Sequence, residues 1–246
     1  MAQTERVTAL ILDRVPYNEA DRFYTALTLE RGLIRARARG AAKPLAKVRP
    51  HLESFGIADI MLVHGRAGYL LASAELIEPI RITTLVGQLL AMAACKTLTR
   101  ALREHCPDRA IFKGLARYFQ ELAAHHDEEN EAPFRTAELR FYWFLMTELG
   151  LTGSLTHCVK CHLALTHICR FVPETGAFFC GQCAPVHGVL APPELRAYLV
   201  ERGAPEPTSA ITAFRNAFAE HFYRRLEIPY PALNFTLSPE LAFVKI

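Results

Sequence analysis

The sequence has little that would mark it for export, for a membrane or for a reaction. Its opening stretch, MAQTERVTALILDRV, lacks a basic start followed by an apolar run, so a secretory signal is not expected. The most apolar window, ITTLVGQLLAMAACKTLTR, is interrupted by Gln88 and Lys96 and reads as a buried helix rather than a membrane span. A phosphate-binding P-loop, a GxSxG elbow and a glycine-rich dinucleotide fingerprint are all missing. The sequence therefore gives no ground for an ATPase, a serine hydrolase or a dehydrogenase. Helix-turn-helix, zipper and ribonucleoprotein motifs are also missing, so base-specific readout is not indicated. There is no low-complexity tract, no repeat of fixed period and no single-sign charge tail, which argues against wholesale disorder. The net charge of +3 says little about partners. Seven cysteines, an odd number, without an export signal disfavour a disulfide framework and favour metal binding in a cytosolic protein.

What is present fills 246 residues, 51 % of them apolar and 22 % charged, enough for one large domain or two smaller ones. Residues 1–80 read as strands: VTALILDR, FYTALTL, LIRARAR, FGIADIMLVH and GYLLASAELI. Pro16 and Asn18 in PYNEAD supply turn chemistry, and GRAG is a tight hairpin link. Five short strands fit a small barrel of the OB type, and by pattern alone an SH3-like barrel as well. After Glu78-Pro79 the period becomes helical. Helices are expected over 82–104, with Leu85, Leu89, Met92 and Leu98 on apolar positions, over 109–125 and over 133–150, ending at Gly150. Two more are expected near 192–202 and 208–227. In the last, Phe214, Phe218 and Phe222 form one stripe that reads as core. The tail IPYPALNFTLSPELAFVKI reads as an irregular cover.

Between these helices lie two Cys-x-x-Cys pairs, Cys158 with Cys161 and Cys180 with Cys183, separated by eighteen residues. A Cys-x-x-Cys turn puts two thiolates on one side of a tight loop, and two such knuckles complete a tetrahedron about one ion. RFVPETGAFF between them reads as a small hairpin, as a zinc ribbon needs. A thiol redox centre would use one pair beside a βαβ unit, and a catalytic zinc would leave one position open. A deaminase would pair His-x-Glu, which His51-Leu52-Glu53 matches, with Pro-Cys-x-x-Cys, but Phe179 and His157 precede the two pairs. Iron suits four thiolates as zinc does. His157, His162, His167 and His187 flank the knuckles; each could replace a cysteine, and each reads more plainly as an ordinary histidine. Cys169 has no partner in the pattern, and Cys95 and Cys106 read as small buried hydrophobes.

From Arg31 to Arg49 there are seven basic residues and no acidic one. On a strand, Arg35, Arg37 and Arg39 share a face, about 6.7 Å apart. They could guard a strand edge against aggregation. A structural role would normally interleave acids, so the sharper reading is a phosphate track continued by Lys43, Lys47 and Arg49, with Gly40, Ala41 and Ala42 leaving room for a nucleic-acid backbone.

The pieces PYNEAD, TLERGLIRARARGAAKP, SFGIADIML…GYLLASAEL and ELRFYWFLMTELGLTGSLTHCVKC run along nearly the whole chain and together resemble the RecO family of bacterial recombination mediators. The resemblance implies an α+β multidomain fold: an N-terminal OB-fold barrel over 1–80, then an all-helical domain over 81–246 carrying an embedded four-cysteine zinc ribbon at about 155–188. It implies a non-enzymatic protein that binds single- and double-stranded DNA and anneals complementary strands. With RecR, such a protein helps load RecA onto DNA coated by the single-strand binding protein SSB, in the RecF pathway. It implies one structural zinc on Cys158, Cys161, Cys180 and Cys183, and DNA binding by Arg35, Arg37, Arg39, Lys43, Lys47 and Arg49. It also implies that the SSB C-terminal tail docks on the helical domain, that no membrane is involved, and that the protein works in the bacterial cytoplasm on the nucleoid. The competing expectation is a zinc-ribbon interaction adaptor with no direct DNA role.

Overall fold

The computed structural model describes residues 3–43, 45–52, 55–65, 68–127, 129–165, 169–192, 194–200 and 209–226. The apolar tail from 228 onward, the middle of the GRAG link and His167 lie outside these residues. The chain divides into two compact units, Met1–Thr152 with Glu194–Pro207, and Gly153–Pro193 with Thr208–Ile246.

The first unit starts with five strands: β1 (Gln3–Pro16), β2 (Arg22–Thr28), β3 (Gly32–Ala38), β4 (Gly56–Gly65) and β5 (Gly68–Pro79). They close into a barrel in the order β1-β2-β3-β5-β4, with β1 antiparallel to β4 and β3 parallel to β5. This order is that of the OB fold, which resolves the choice between barrel types. The alternation in β4 shows how the sequence encodes it. Ala58, Ile60 and Leu62 point inward and are buried, while Ile57, Asp59 and Met61 between them are only partly covered. The interior is narrow, so it is filled largely by alanines (Ala9, Ala26, Ala36, Ala38 and Ala58) around Tyr24 and Ile34. One short helical turn, α1 (Arg49–Leu52), lies between β3 and β4 and buries Leu52.

Three helices follow in the same unit: α2 (Leu85–Ala101), α3 (Arg109–Ala123) and α4 (Ala132–Glu148), with α5 (Leu195–Val200) packing on α4. Thr84 caps α2 by accepting from the Gly87 N–H, and Asp108 caps α3 by accepting from Ala110 and Ile111. Gly150, with φ of 69°, follows the last turn of α4 as expected of a helix stop. Tyr118 of α3 stacks on Phe141 of α4 at 4.4 Å, and Gly114 lets the Phe144 ring lie against α3.

The apolar face of α2 differs from the sequence reading. Leu98 is buried, but Leu85, Leu89 and Met92 are exposed, and Val86, Leu90 and Ala94 take the inner positions. The helix is apolar nearly all round, so periodicity alone could not select its buried stripe. Among the described residues no helix is long and apolar enough to cross a membrane.

In the second unit, β6 (Cys169–Val172) and β7 (Ala177–Cys180) form the expected hairpin around Pro173–Gly176. Strand β8 (Val189–Ala191) adds to β6, giving the order β7-β6-β8. Gly176 takes φ of 68°, and its N–H donates to Val172. Helix α6 (Ser209–Arg225) packs on this sheet through Phe214 and Phe218, with Phe171 and Phe178 at 5.2 and 6.0 Å from the Phe214 ring. The phenylalanine stripe is core, as expected: Phe214, Phe218 and Phe222 are 0–2 % exposed.

Candidate nucleic-acid interface and metal centre

The turn PYNEAD orders the basic segment. The Asn18 side chain accepts from the backbone N–H groups of Ala20 and Asp21, an Asx turn that presents the Asp21 carboxylate toward the end of β3. One Asp21 oxygen accepts from the Gly40 N–H at 2.8 Å. The other accepts from the Arg37 guanidinium, with the shorter contact at 2.6 Å. The Gly40 N–H and the Arg37 guanidinium hold this carboxyl below its ordinary value of 3.8, against the opposing effect of burial. Gly40 adopts φ of 71°, and Ala42 donates to Ala20, so the loop leaving β3 is tied back onto the β1–β2 turn. Ala41 is fully buried in the barrel core, so it packs the barrel instead of making room for a nucleic-acid backbone.

The six basic residues of the expected track fall into different environments. Arg35 and Arg37 lie on the outer face of β3, and Arg39 stands just past its end. Arg35 lies over the Phe23 ring at 4.7 Å, and Arg37 over Tyr17 at 4.4 Å. Tyr17 and Phe23 meet at 5.0 Å and 84°. Arg37 is thus compensated by a carboxylate that lies outside the 31–49 window. Arg35, Arg39, Lys43 and Lys47 are exposed, and no carboxylate among the described residues reaches them. Arg49 opens α1 and is half-buried. Leu45, between the two lysines, is 94 % exposed. Strand β3 pairs with β2 along its whole length and with β5 over Ala36–Ala38, so Arg37 is not on an open edge, whereas Arg35 lies outside the β5 pairing. Tyr17, Phe23 and Asp21 were not singled out by sequence reasoning. Their signal was the registration of Phe23 opposite Arg37, which pairing alone reveals.

The four cysteine sulfurs of the two knuckles lie within 4.8 Å of one another, and Cys161 Sγ is 3.7 Å from Cys180 Sγ. A tetrahedron of thiolates at about 2.3 Å from a zinc ion has S···S edges of about 3.8 Å, so the spacing fits a structural metal ion. Each knuckle closes on the carbonyl of its leading cysteine: Cys158 accepts from the His162 N–H, and Cys180 from those of Cys183 and Ala184. Burial pushes the Cys158 thiol up, but backbone N–H groups of Cys161, Cys180 and Lys160 outweigh it and bring it down to about 6. Cys180 and Cys161 push Cys183 up to about 12. Without a cation these thiols compete for ionisation. A divalent ion would remove the repulsion and accept all four as thiolates. His157, His162 and His187 are outside the cluster. Cys95 is buried as expected. Cys106 is exposed, not buried as expected: it sits in the α2–α3 link, where its carbonyl lies close against Gly32.

The helical layer carries a groove of about 290 Å³ lined by Arg117, Tyr118, Arg140, Trp143, Phe144 and Leu199. Tyr118 is buried, and its hydroxyl has no hydrogen-bond partner.

Two family models match the chain, "Recombination protein O N terminal" over residues 1–80 and "Recombination protein O C terminal" over 83–200. Relatives named "DNA repair protein RecO" include those of Frankia casuarinae and Synechococcus sp. The Frankia protein is 32 % identical over 190 residues, which cover 74 % of each chain. The Synechococcus protein is 29 % identical over 192 residues, covering 74 % of this chain and 66 % of the relative. The chain thus spans slightly less than two thirds of that relative's length, and 62 % of a second Synechococcus relative's.

Proposed function

The chain belongs to the RecO family, and on that premise we propose that it is a non-enzymatic DNA-binding recombination mediator. It binds single- and double-stranded DNA, anneals complementary strands and, with RecR, helps load RecA onto SSB-coated single strands in recombinational repair. One observation carries this reading. Arg35, Arg39, Lys43 and Lys47 stand exposed on strand β3 and the loop that leaves it, none reaches a carboxylate among the described residues, and Arg35 lies over Phe23, which meets Tyr17. Cations without internal partners release counterions when they meet phosphates, and aromatic rings among them offer base contacts. Annealing breaks no covalent bond. It needs two polyanions neutralised on one surface with reversible contact to each, and exposed side chains on a rigid barrel supply that.

In this reading residues 1–80 are the nucleic-acid-binding domain, and 81–246 form the helical domain with its insert. Arg37 and Arg49 contribute to the DNA surface, Arg37 while also ordering the loop through Asp21. Cys158, Cys161, Cys180 and Cys183 hold one structural zinc. Their closed set of four soft ligands leaves no position for substrate, so the ion supplies folding energy and no chemistry. The groove is lined by Arg117, Arg140, Trp143 and Phe144, with Glu121 as its one acidic side chain among the described residues, and its two cations beside aromatic surface suit the acidic, Phe-terminated tail of SSB. The protein works in the bacterial cytoplasm on the nucleoid.

The test is a titration of labelled single- and double-stranded oligonucleotides at low and high salt, with strand annealing followed in parallel. Salt-sensitive binding of both forms with little base preference is expected. No DNA binding at low salt would overturn the reading in favour of an adaptor that docks partners through its ribbon.

A further inference from the structure

Among the described residues Tyr17 is the one Phe, Tyr or Trp that stands more than half exposed, at 52 %. Its position is not loose. Its N–H donates to the Asp21 carbonyl at 3.0 Å within the Asx turn, and its ring meets Phe23 at nearly a right angle. One ring face lies under the Arg37 guanidinium, itself fixed by two bonds to Asp21. The exposed part of the ring is what its contacts with Arg37 and Phe23 leave uncovered. An aromatic ring kept in water at a fixed angle, instead of folding into the barrel, gives up apolar burial in the free protein. Cations that meet no carboxylate among the described residues belong to the same strand and loop: Arg35 over Phe23, and Arg39, Lys43 and Lys47 in the loop that Asp21 ties down.

We propose that Tyr17 is a stacking platform for an unpaired nucleobase, and that it gives the barrel a preference for single-stranded over duplex DNA. This deepens the DNA-binding reading and rests on it. Both forms of DNA offer phosphates to the cations. Only a single strand offers a free base face, because in a duplex each base is already stacked on its neighbours. Stacking on a pre-fixed ring costs little conformational entropy on the protein side and does not depend on which base is bound. The Arg37–Asp21 pair acts as a positioning element that holds the ring.

The experiment uses the full chain and three fluorescent ligands of equal length: oligothymidylate, a duplex, and an abasic phosphodiester chain. Tyr17→Ala should weaken oligothymidylate binding on the order of tenfold, and change duplex and abasic binding by less than about twofold. Tyr17→Phe should bind all three like the parent. A single 2-aminopurine in the strand should be quenched by the parent and by Tyr17→Phe, but not by Tyr17→Ala. Unchanged oligothymidylate binding by Tyr17→Ala overturns the platform. So does an equal loss on all three ligands, which would mean that Tyr17 only holds Arg37 in place. A parent chain that binds none of the three at low salt overturns the DNA-binding reading itself, which separates the two failures.

Discussion

Removing the four uncompensated cations together, by replacing Arg35, Arg39, Lys43 and Lys47 with alanine, should flatten the salt dependence of DNA binding while leaving the fold intact. All four are exposed and none reaches a carboxylate among the described residues, so their loss exposes no buried charge. Each phosphate contact contributes a slope of about 0.9 in log affinity against log salt for duplex DNA and about 0.7 for single strands. Losing four contacts should therefore reduce the slope by about 3.6 and 2.8 respectively. At 0.2 M salt that corresponds to roughly 300-fold weaker duplex binding and roughly 90-fold weaker single-strand binding. Arg37→Ala is the contrasting variant. Arg37 is already paired with Asp21, so its loss should change the slope by at most about 1 and should instead lower the melting temperature, because a poorly exposed carboxylate loses its cation. Fluorescence anisotropy across a salt series gives the slopes, and thermal melting followed by circular dichroism gives stability. A quadruple variant with the parent's slope and an unchanged melt would refute the phosphate track. An Arg37→Ala slope change as large as that of the quadruple would refute the division of labour between compensated and uncompensated arginines.

Cys158→Ser should abolish stoichiometric metal binding and sharply lower the melting temperature, since zinc in such sites supplies on the order of 10 kcal/mol of apparent folding energy; a metal assay with calorimetry checks it, and a parent-like melt would contradict a structural ion. For Asp21→Asn the sign follows from a carboxyl held below its ordinary value by Gly40 and Arg37. Its stabilisation is present above its unfolded value and is lost as pH falls through the lower folded one, so the melting gap to the parent should be constant from pH 7 to 5 and narrow below about pH 4. A gap that does not narrow at all as the pH falls below 4 would exclude the carboxylate's charge as its source. Gly32→Ala should cost more than Gly40→Ala in urea unfolding. Both residues have positive φ, worth about 1–3 kcal/mol on a non-glycine residue, but at Gly32 a Cβ would also lie 2.3 Å from the Cys106 carbonyl oxygen, whereas at Gly40 the nearest atom is a lysine side chain at 3.9 Å. Equal costs would show that the link yields at Gly32.

Much of the fold was legible because its signals are local. Alternation marked the five strands, the helical period with its stop at Gly150 marked the helices, and Cys-x-x-Cys spacing marked the cluster whose sulfurs do converge. Periodicity is uninformative about the buried stripe of α2, a helix with apolar residues on several sides: of the four apolar positions that mark its period, Leu98 is buried and Leu85, Leu89 and Met92 face out.

By itself the sequence determined which residues can be strands, which turn residues end them, and which four thiols can share one ion, because each depends on neighbours within a few positions. It also determined that positive charge concentrates between Arg31 and Arg49. Only the tertiary structure decided what that charge is free to do. Closing the barrel registers Phe23 opposite Arg37, the β1–β2 turn carries Asp21 to a residue sixteen positions away, and β1 brings Glu5 to Arg31, so two of the arginines are neutralised while Arg35, Arg39, Lys43 and Lys47 meet no carboxylate among the described residues. The partner of the phenylalanine stripe in α6, the ribbon strands carrying Phe171 and Phe178, was likewise set by packing between segments distant in the chain. A one-dimensional window does not contain the distances on which pairing, compensation and burial depend.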